Sequence, residues 1–212
     1  MKYDIRRILN EEGERVSNYQ RIIDNFKSTL PPQYDETIDE VFEEIRSFIE
    51  RKGFTIKVLN YCTVPFRGVR TRDFIIICSP HTYKSLAELV YILFHEIRHE
   101  IQMGELEMDN PLSGDFDDFE ELYRRYWDME IDAHNYGLEW VDRIGNIINL
   151  PDEYYKLSPT VTNYPTMGHM VRNQIQGVYN QINRLREEGY EYNDIVDLPM
   201  ISNLIDRLED IF

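Results

Sequence analysis

Apolar residues recur at helical spacing along much of this chain. Between residue 3 and about residue 28, Ile5, Ile8, Leu9, Val16, Tyr19, Ile22, Ile23 and Phe26 mark one side of a charged amphipathic helix, interrupted near Gly13 and stopped before Pro31-Pro32. Ile38, Val41, Phe42, Ile45, Phe48 and Ile49 predict a second helix from Thr37 to Lys52, with Gly53 as its C-cap. The pattern then changes period. "FTIKVLNYC" alternates apolar and polar positions and "DFIIICS" is a short β-rich apolar run, with Pro65 and Gly68 between them, so a hairpin or two neighbouring strands is expected. The second run is read either as an interior strand or as an edge strand that accepts an extended peptide by backbone pairing.

Helical spacing returns after Ser79-Pro80, whose neighbourhood up to Ser85 supplies capping chemistry, and predicts a helix from about Lys84 to Met103. The acidic, turn-rich "GELEMDNPLSGDFDD" separates it from a long helix, Asp118 to Ile148, closed by Pro151. "SPTVTNYPTMG" reads as a loop of about ten residues. Helices from Met167 to Glu188 and from Pro199 to Ile211 follow, flanking the turn-like "GYEYND". The expected class is α+β, helices dominant, with a small sheet ahead of the Lys84–Met103 helix. The expected organisation is one domain over 1–212: a helical extension at 1–30, a core at 54–148 and C-terminal helices at 166–212.

Composition narrows the function classes. With 42% hydrophobic, 29% charged and 13% aromatic residues in 212, the chain is folded rather than disordered. Its net charge of −16, from 39 acidic against 23 basic residues, repels phosphate backbones and anionic lipid, so neither nucleic acid nor membrane is an expected partner. Only Cys62 and Cys78 are present, which fits a reducing compartment. With no signal-like apolar core and no stretch of membrane-spanning length, a cytoplasmic location is expected.

The chemistry concentrates in "LVYILFHEIRHEIQ", residues 89–102. On a helix, Leu86, Leu89, Val90, Leu93, Phe94, Ile97 and Ile101 form one apolar face, while His95, His99 and Glu88 point the other way, flanked by Tyr91, Ile92 and Met103. Such a helix is buried on both sides. Histidines four apart stack one turn above the other and can reach one tetrahedral ion at about 2.0–2.1 Å. Glu96 is rotated aside, suited to hold a water rather than the ion. The long helix supplies a second anomaly. Its apolar stripe of Phe119, Leu122, Tyr123, Tyr126, Ala133, Gly137, Trp140, Ile144 and Ile147 contains Glu130. A carboxylate aimed into a core costs several kcal/mol unless it is paired or bound to metal. Small Ala133 and Gly137 beside it let another helix come close. His95, His99 and Glu130 together make a His₂Glu set for a catalytic zinc ion, with the fourth position left to water. The alternatives are that His95 and His99 are surface or hydrogen-bonded core histidines, and that Glu130 is paired with an arginine such as Arg98 or Arg125.

These residues resemble the gluzincin metallopeptidases, in which H-E-x-x-H on one helix is followed by a glutamate ligand on a later one. The local likeness is to small zincins of the ImmA/IrrE type and to the integral-membrane prenyl-protein endopeptidases, and it covers about Asp73 to Gly137. Their later helix carries E-x-x-A followed by Asp or Asn; here the text is Glu130-Ile131-Asp132-Ala133-His134. The resemblance implies a zinc-dependent peptidase acting on a protein or peptide substrate, with His95, His99 and Glu130 as ligands and Glu96 as general base. It puts His134, and with it Asp132, in supporting positions around the ligands, and offers Tyr164 and His169 as downstream stabilisers of the oxyanion. Arg98 stands where many relatives have a small residue, crowding the space between the helices. The competing classes are a catalytically silent zinc-bearing regulatory or binding module, an acidic metal-free interaction protein, and a hydrolase of a non-peptide amide.

Overall fold

The computed structural model describes residues 23–24, 27–28, 30–53, 56–59, 68–70, 75–78, 85–104, 118–148, 150–191, 194–195, 198 and 201, with side chains for all of these except the residues of the three strands. Most of the expected 3–28 helix and of the expected 199–211 helix, the acidic 104–118 loop between its ends, and the side chains of Cys62 and Cys78 lie outside the described residues. Among the described residues five helices carry the fold: α1 (Asp35–Lys52), α2 (Leu86–Gly104), α3 (Phe119–Ile147), the single-turn α4 (Pro159–Thr162) and α5 (Gly168–Glu187).

The expected α+β class is corrected to a helical one. Most of the described residues are in helices. The two β-rich stretches do enter a backbone ladder, as β1 (Ile56–Leu59) and β3 (Ile75–Cys78), with β2 (Gly68–Arg70) on the far side of β3. These segments of three or four residues lie at the short end for strands, whereas four of the helices run to 18 residues or more, so helix dominates the described residues. Of the two expected arrangements, neighbouring strands is the one found. β1 and β3 run parallel instead of forming a hairpin, and β3 is flanked on both sides, so "DFIIICS" is not an edge strand open to a peptide.

The helix boundaries follow local chemistry. The left-handed conformation of Gly53 (φ 70°) terminates α1, and its N–H returns to Ile49 and Glu50 carbonyls. Ser85 caps α2: its hydroxyl accepts the Glu88 N–H at 3.3 Å and donates to the Lys156 carbonyl, tying the helix start to the 151–158 connection. Asp118 caps α3 through the Glu120 N–H at 2.9 Å. "SPTVTNYPTMG" is not an open loop but α4 followed by a 3₁₀ turn over Tyr164–Met167.

Two hydrophobic clusters share α3. Its C-terminal half, through Trp140, Val141 and Ile144, packs with α1 and α2. There the Trp140 ring stacks on Phe94 at 3.8 Å, and Phe48 meets both edge-on. Its N-terminal half, through Leu122 and Tyr126, packs with Val171, Ile175, Val178 and Ile182 of α5. Between these halves lie Met129, Glu130, Ala133 and His134, all buried and belonging to neither cluster. The polar site occupies that gap. No helix among the described residues is long and apolar enough to cross a membrane.

Candidate metal centre

The gap in α3 faces the histidines of α2. Helix α2 is buried on both sides from Leu86 to Ile97, as its sequence requires of a segment whose polar face looks into another helix. The two axes come close because of Gly137. A Cβ there would lie 2.9 Å from both the Tyr91 carbonyl oxygen and the Tyr91 ring, so glycine sets the separation at which ligands from α2 and α3 meet.

His95, His99 and Glu130 converge. Their ligand atoms all lie within 4.8 Å of one another. His95 Nε2 and His99 Nε2 are 3.2 Å apart, His95 Nε2 is 3.3 Å from Glu130 Oε2, and His99 Nε2 is 3.6 Å from Glu130 Oε1. Donors bound at about 2.0–2.1 Å to one tetrahedral ion stand about 3.3–3.4 Å apart. The donor set therefore fits a metal ion in both chemistry and size. The alternative pairing of Glu130 with arginine does not occur: Arg98 bonds Asp132 and Arg125 pairs with Glu121.

Charge at the site is self-consistent without a metal. Burial opposes ionisation of Glu130, but the two imidazoles hold its carboxyl well below the usual carboxylate range. Burial likewise opposes the charged form of His99, yet the Glu130 charge and hydrogen bond, with Glu96 and Gln102, push it up to about 9. Glu130 and His99 thus hold each other in their charged forms. Glu96 is buried beside it, near enough to raise the pKa of both Tyr91 and His99, but is not part of the ligand set.

A second ring of contacts surrounds the ligands. The Tyr164 hydroxyl donates to Glu130 Oε2 at 3.1 Å, and burial followed by the Glu130 charge keeps that phenol protonated far above its ordinary range. Tyr164 is wedged between Trp127 (5.5 Å) and His134 (5.0 Å), both stacked on it. His134 shares a 2.8 Å hydrogen bond with the Tyr91 hydroxyl, and burial, reinforced by His95, lowers its pKa to about 4, so it is neutral at pH 7. Asp132 accepts from Arg98 Nε at 2.7 Å and from the Gln102 amide at 2.7 Å; Gln102 also contacts His99 Nδ1 at 2.9 Å. Arg98, expected to crowd the helices, instead joins them, lying over the Tyr136 ring and gripping Asp132. His169 is exposed at the start of α5 with Nδ1 against the Thr166 carbonyl, apart from the cluster.

Gln102 has no role assigned from the sequence, and Tyr91, expected only to flank the histidine face, bonds His134, although the signal for both is present. Tyr91 precedes His95 by four residues and Gln102 follows His99 by three, so both lie on the ligand face of α2. Comparison with known proteins finds no matching family, no matching curated protein and no matching solved structure.

Proposed function

We propose that this chain is a zinc-dependent metallopeptidase that hydrolyses peptide bonds in a protein or peptide substrate. The observation that supports it is the His95–His99–Glu130 cluster, spaced like three corners of a tetrahedron, with Glu96 beside it and outside it. Two imidazoles and one carboxylate are the donor set of catalytic zinc sites, which keep a fourth position for water. Zinc bound there supplies Lewis acidity, drawing the pKa of a water ligand towards about 7 and polarising the scissile carbonyl.

The protein's own residues do the rest. Glu96 takes the proton of the attacking water and returns it to the leaving amine, a role typically worth about 10²–10⁴-fold. Tyr164, a protonated donor in contact with Glu130, is assigned the oxyanion; His169, exposed and turned to Thr166, is left out of the mechanism. Asp132 and His134 hold neighbours in place: Asp132 bonds Arg98 and Gln102, His134 bonds Tyr91 and stacks on Tyr164.

The test pairs metal analysis with one substitution. Purified protein is expected to carry one zinc per chain, lost in His95→Ala. Glu96→Gln is expected to keep the metal while cleavage of casein or a peptide library disappears. Equal inertness of wild type and Glu96→Gln, with zinc present in both, would favour a silent zinc-bearing module over an enzyme.

A further inference from the structure

We infer that Gln102 is a positioning residue that forces the neutral His99 ring to carry its proton on Nδ1 and so presents Nε2 to a metal. The inference rests on reading the cluster as a metal site and adds how one ligand is aimed.

The argument is one of hydrogen-bond arithmetic. Gln102 is fully buried and has three polar neighbours: the Met129 carbonyl at 3.0 Å, Asp132 Oδ2 at 2.7 Å and His99 Nδ1 at 2.9 Å. A carbonyl and an ionised carboxylate only accept, so they consume both N–H bonds of the amide. Only the amide oxygen is left for His99, and an oxygen without a proton requires that Nδ1 donate. In a neutral imidazole the other nitrogen, Nε2, then holds the free lone pair. That atom is the one 3.2 Å from His95 Nε2 and 3.6 Å from Glu130 Oε1.

The orientation of the amide is itself fixed. Arg98 of α2 holds Asp132 of α3 through Nε at 2.7 Å and a terminal nitrogen at 3.2 Å, which keeps the carboxylate aimed at Gln102. The chain Arg98, Asp132, Gln102, His99 crosses between the helices twice and ends on the ligand. Partners of this kind around a metal-binding histidine set its tautomer and ring angle.

Long-range proton–nitrogen spectra of wild-type protein loaded with ¹¹³Cd²⁺ read the tautomer directly. The expected result is a proton on His99 Nδ1 and cadmium coupling at Nε2; coupling at Nδ1 would overturn the inference. Gln102→Leu keeps the bulk and removes the acceptor, and is expected to weaken Zn²⁺ and Cd²⁺ binding by about 10–100-fold. Arg98→Met, two links further out, is expected to weaken binding in the same direction by less. A folded Gln102→Leu protein with unchanged affinity refutes the positioning role, and if that variant does not fold the wild-type spectrum alone decides. Wild-type protein that binds neither ion overturns the metal reading itself, and is told apart by failing before any variant is made.

Discussion

Gly137 of α3 sits against Tyr91 of α2 so closely that even a methyl group would collide with the Tyr91 carbonyl oxygen, at 2.9 Å. Main chain cannot swing aside as a side chain can. Three residues earlier on α3, His134 bonds the same tyrosine through its hydroxyl, and Glu130 faces the two histidines one turn further along. The close approach at Gly137 and the donor distances at the cluster are consequences of one interhelical spacing.

Gly137→Ala is therefore expected to act on the site from a distance. Overpacking of this kind costs about 1–3 kcal/mol, partly offset by the roughly 0.5–1 kcal/mol gained when glycine is replaced within a helix. Urea denaturation should show a net loss, and metal titration should show weaker binding although no ligand was changed. Binding equal to wild type would mean that the helices slide without disturbing the cluster.

Tyr164→Phe separates two roles of one hydroxyl. The ring keeps its stacking on Trp127 and His134, while the bond to Glu130 is lost. A hydrogen bond to a charged group contributes about 1.5–3 kcal/mol, which should appear as lower stability of the metal-free protein. If Tyr164 also serves the oxyanion, kcat on a peptide should fall by about 10²–10³-fold with little change in KM. Loss of stability with kcat intact would leave Tyr164 as a holder of Glu130 only.

The ligands were legible in the sequence because each contradicts its surroundings. His95 and His99 share a face of a helix that is apolar elsewhere, and Glu130 stands in an apolar stripe, so periodicity alone marked all three. Gln102, and any role of Tyr91 beyond flanking the histidines, are not legible there, because a glutamine and a tyrosine at the same face contradict nothing until their partners are known. Arg98 was misread because its spacing says only that it lies between helices; that Asp132 waits there depends on how α2 and α3 pack. The class was misjudged for a different reason. β-rich runs at 54–62 and 73–79 report local preference, whereas the contribution of a sheet to the core depends on strand length and pairing, which local alternation does not encode.

Trp140→Ala tests whether the cluster in the gap depends on the hydrophobic half of α3. Trp140 stacks on Phe94, the residue before His95, and lies under Arg143, which is also paired with Glu44 of α1. Removing so large a buried ring typically costs about 3–5 kcal/mol. Thermal unfolding should shift down strongly while saturating metal restores part of the loss by mass action. No recovery on adding zinc would indicate that the ligands had already come apart.

The metal-free protein is expected to be most stable near pH 6.5, because two histidines bend its stability in opposite directions. His99 has a folded pKa raised to about 9 from 6.5, so its contribution is complete below pH 6.5 and is lost as pH rises towards 9. His134 is lowered to about 4 from 6.5, so protonation of the unfolded chain removes stability as pH falls from 6.5 towards 4. Glu130, also depressed, adds to the loss on the acid side, where its contribution disappears as pH drops below the ordinary carboxylate range. Zinc changes the alkaline limb. It must displace the His99 proton, so apparent affinity should rise about tenfold per pH unit between roughly 7 and 9, since binding releases ligand protons, and the stability of saturated holoprotein should stay level over the interval in which apoprotein loses it. Urea midpoints of both forms across pH 5–9 check this directly; parallel curves for apo and holo protein would show that His99 does not exchange its proton for the metal.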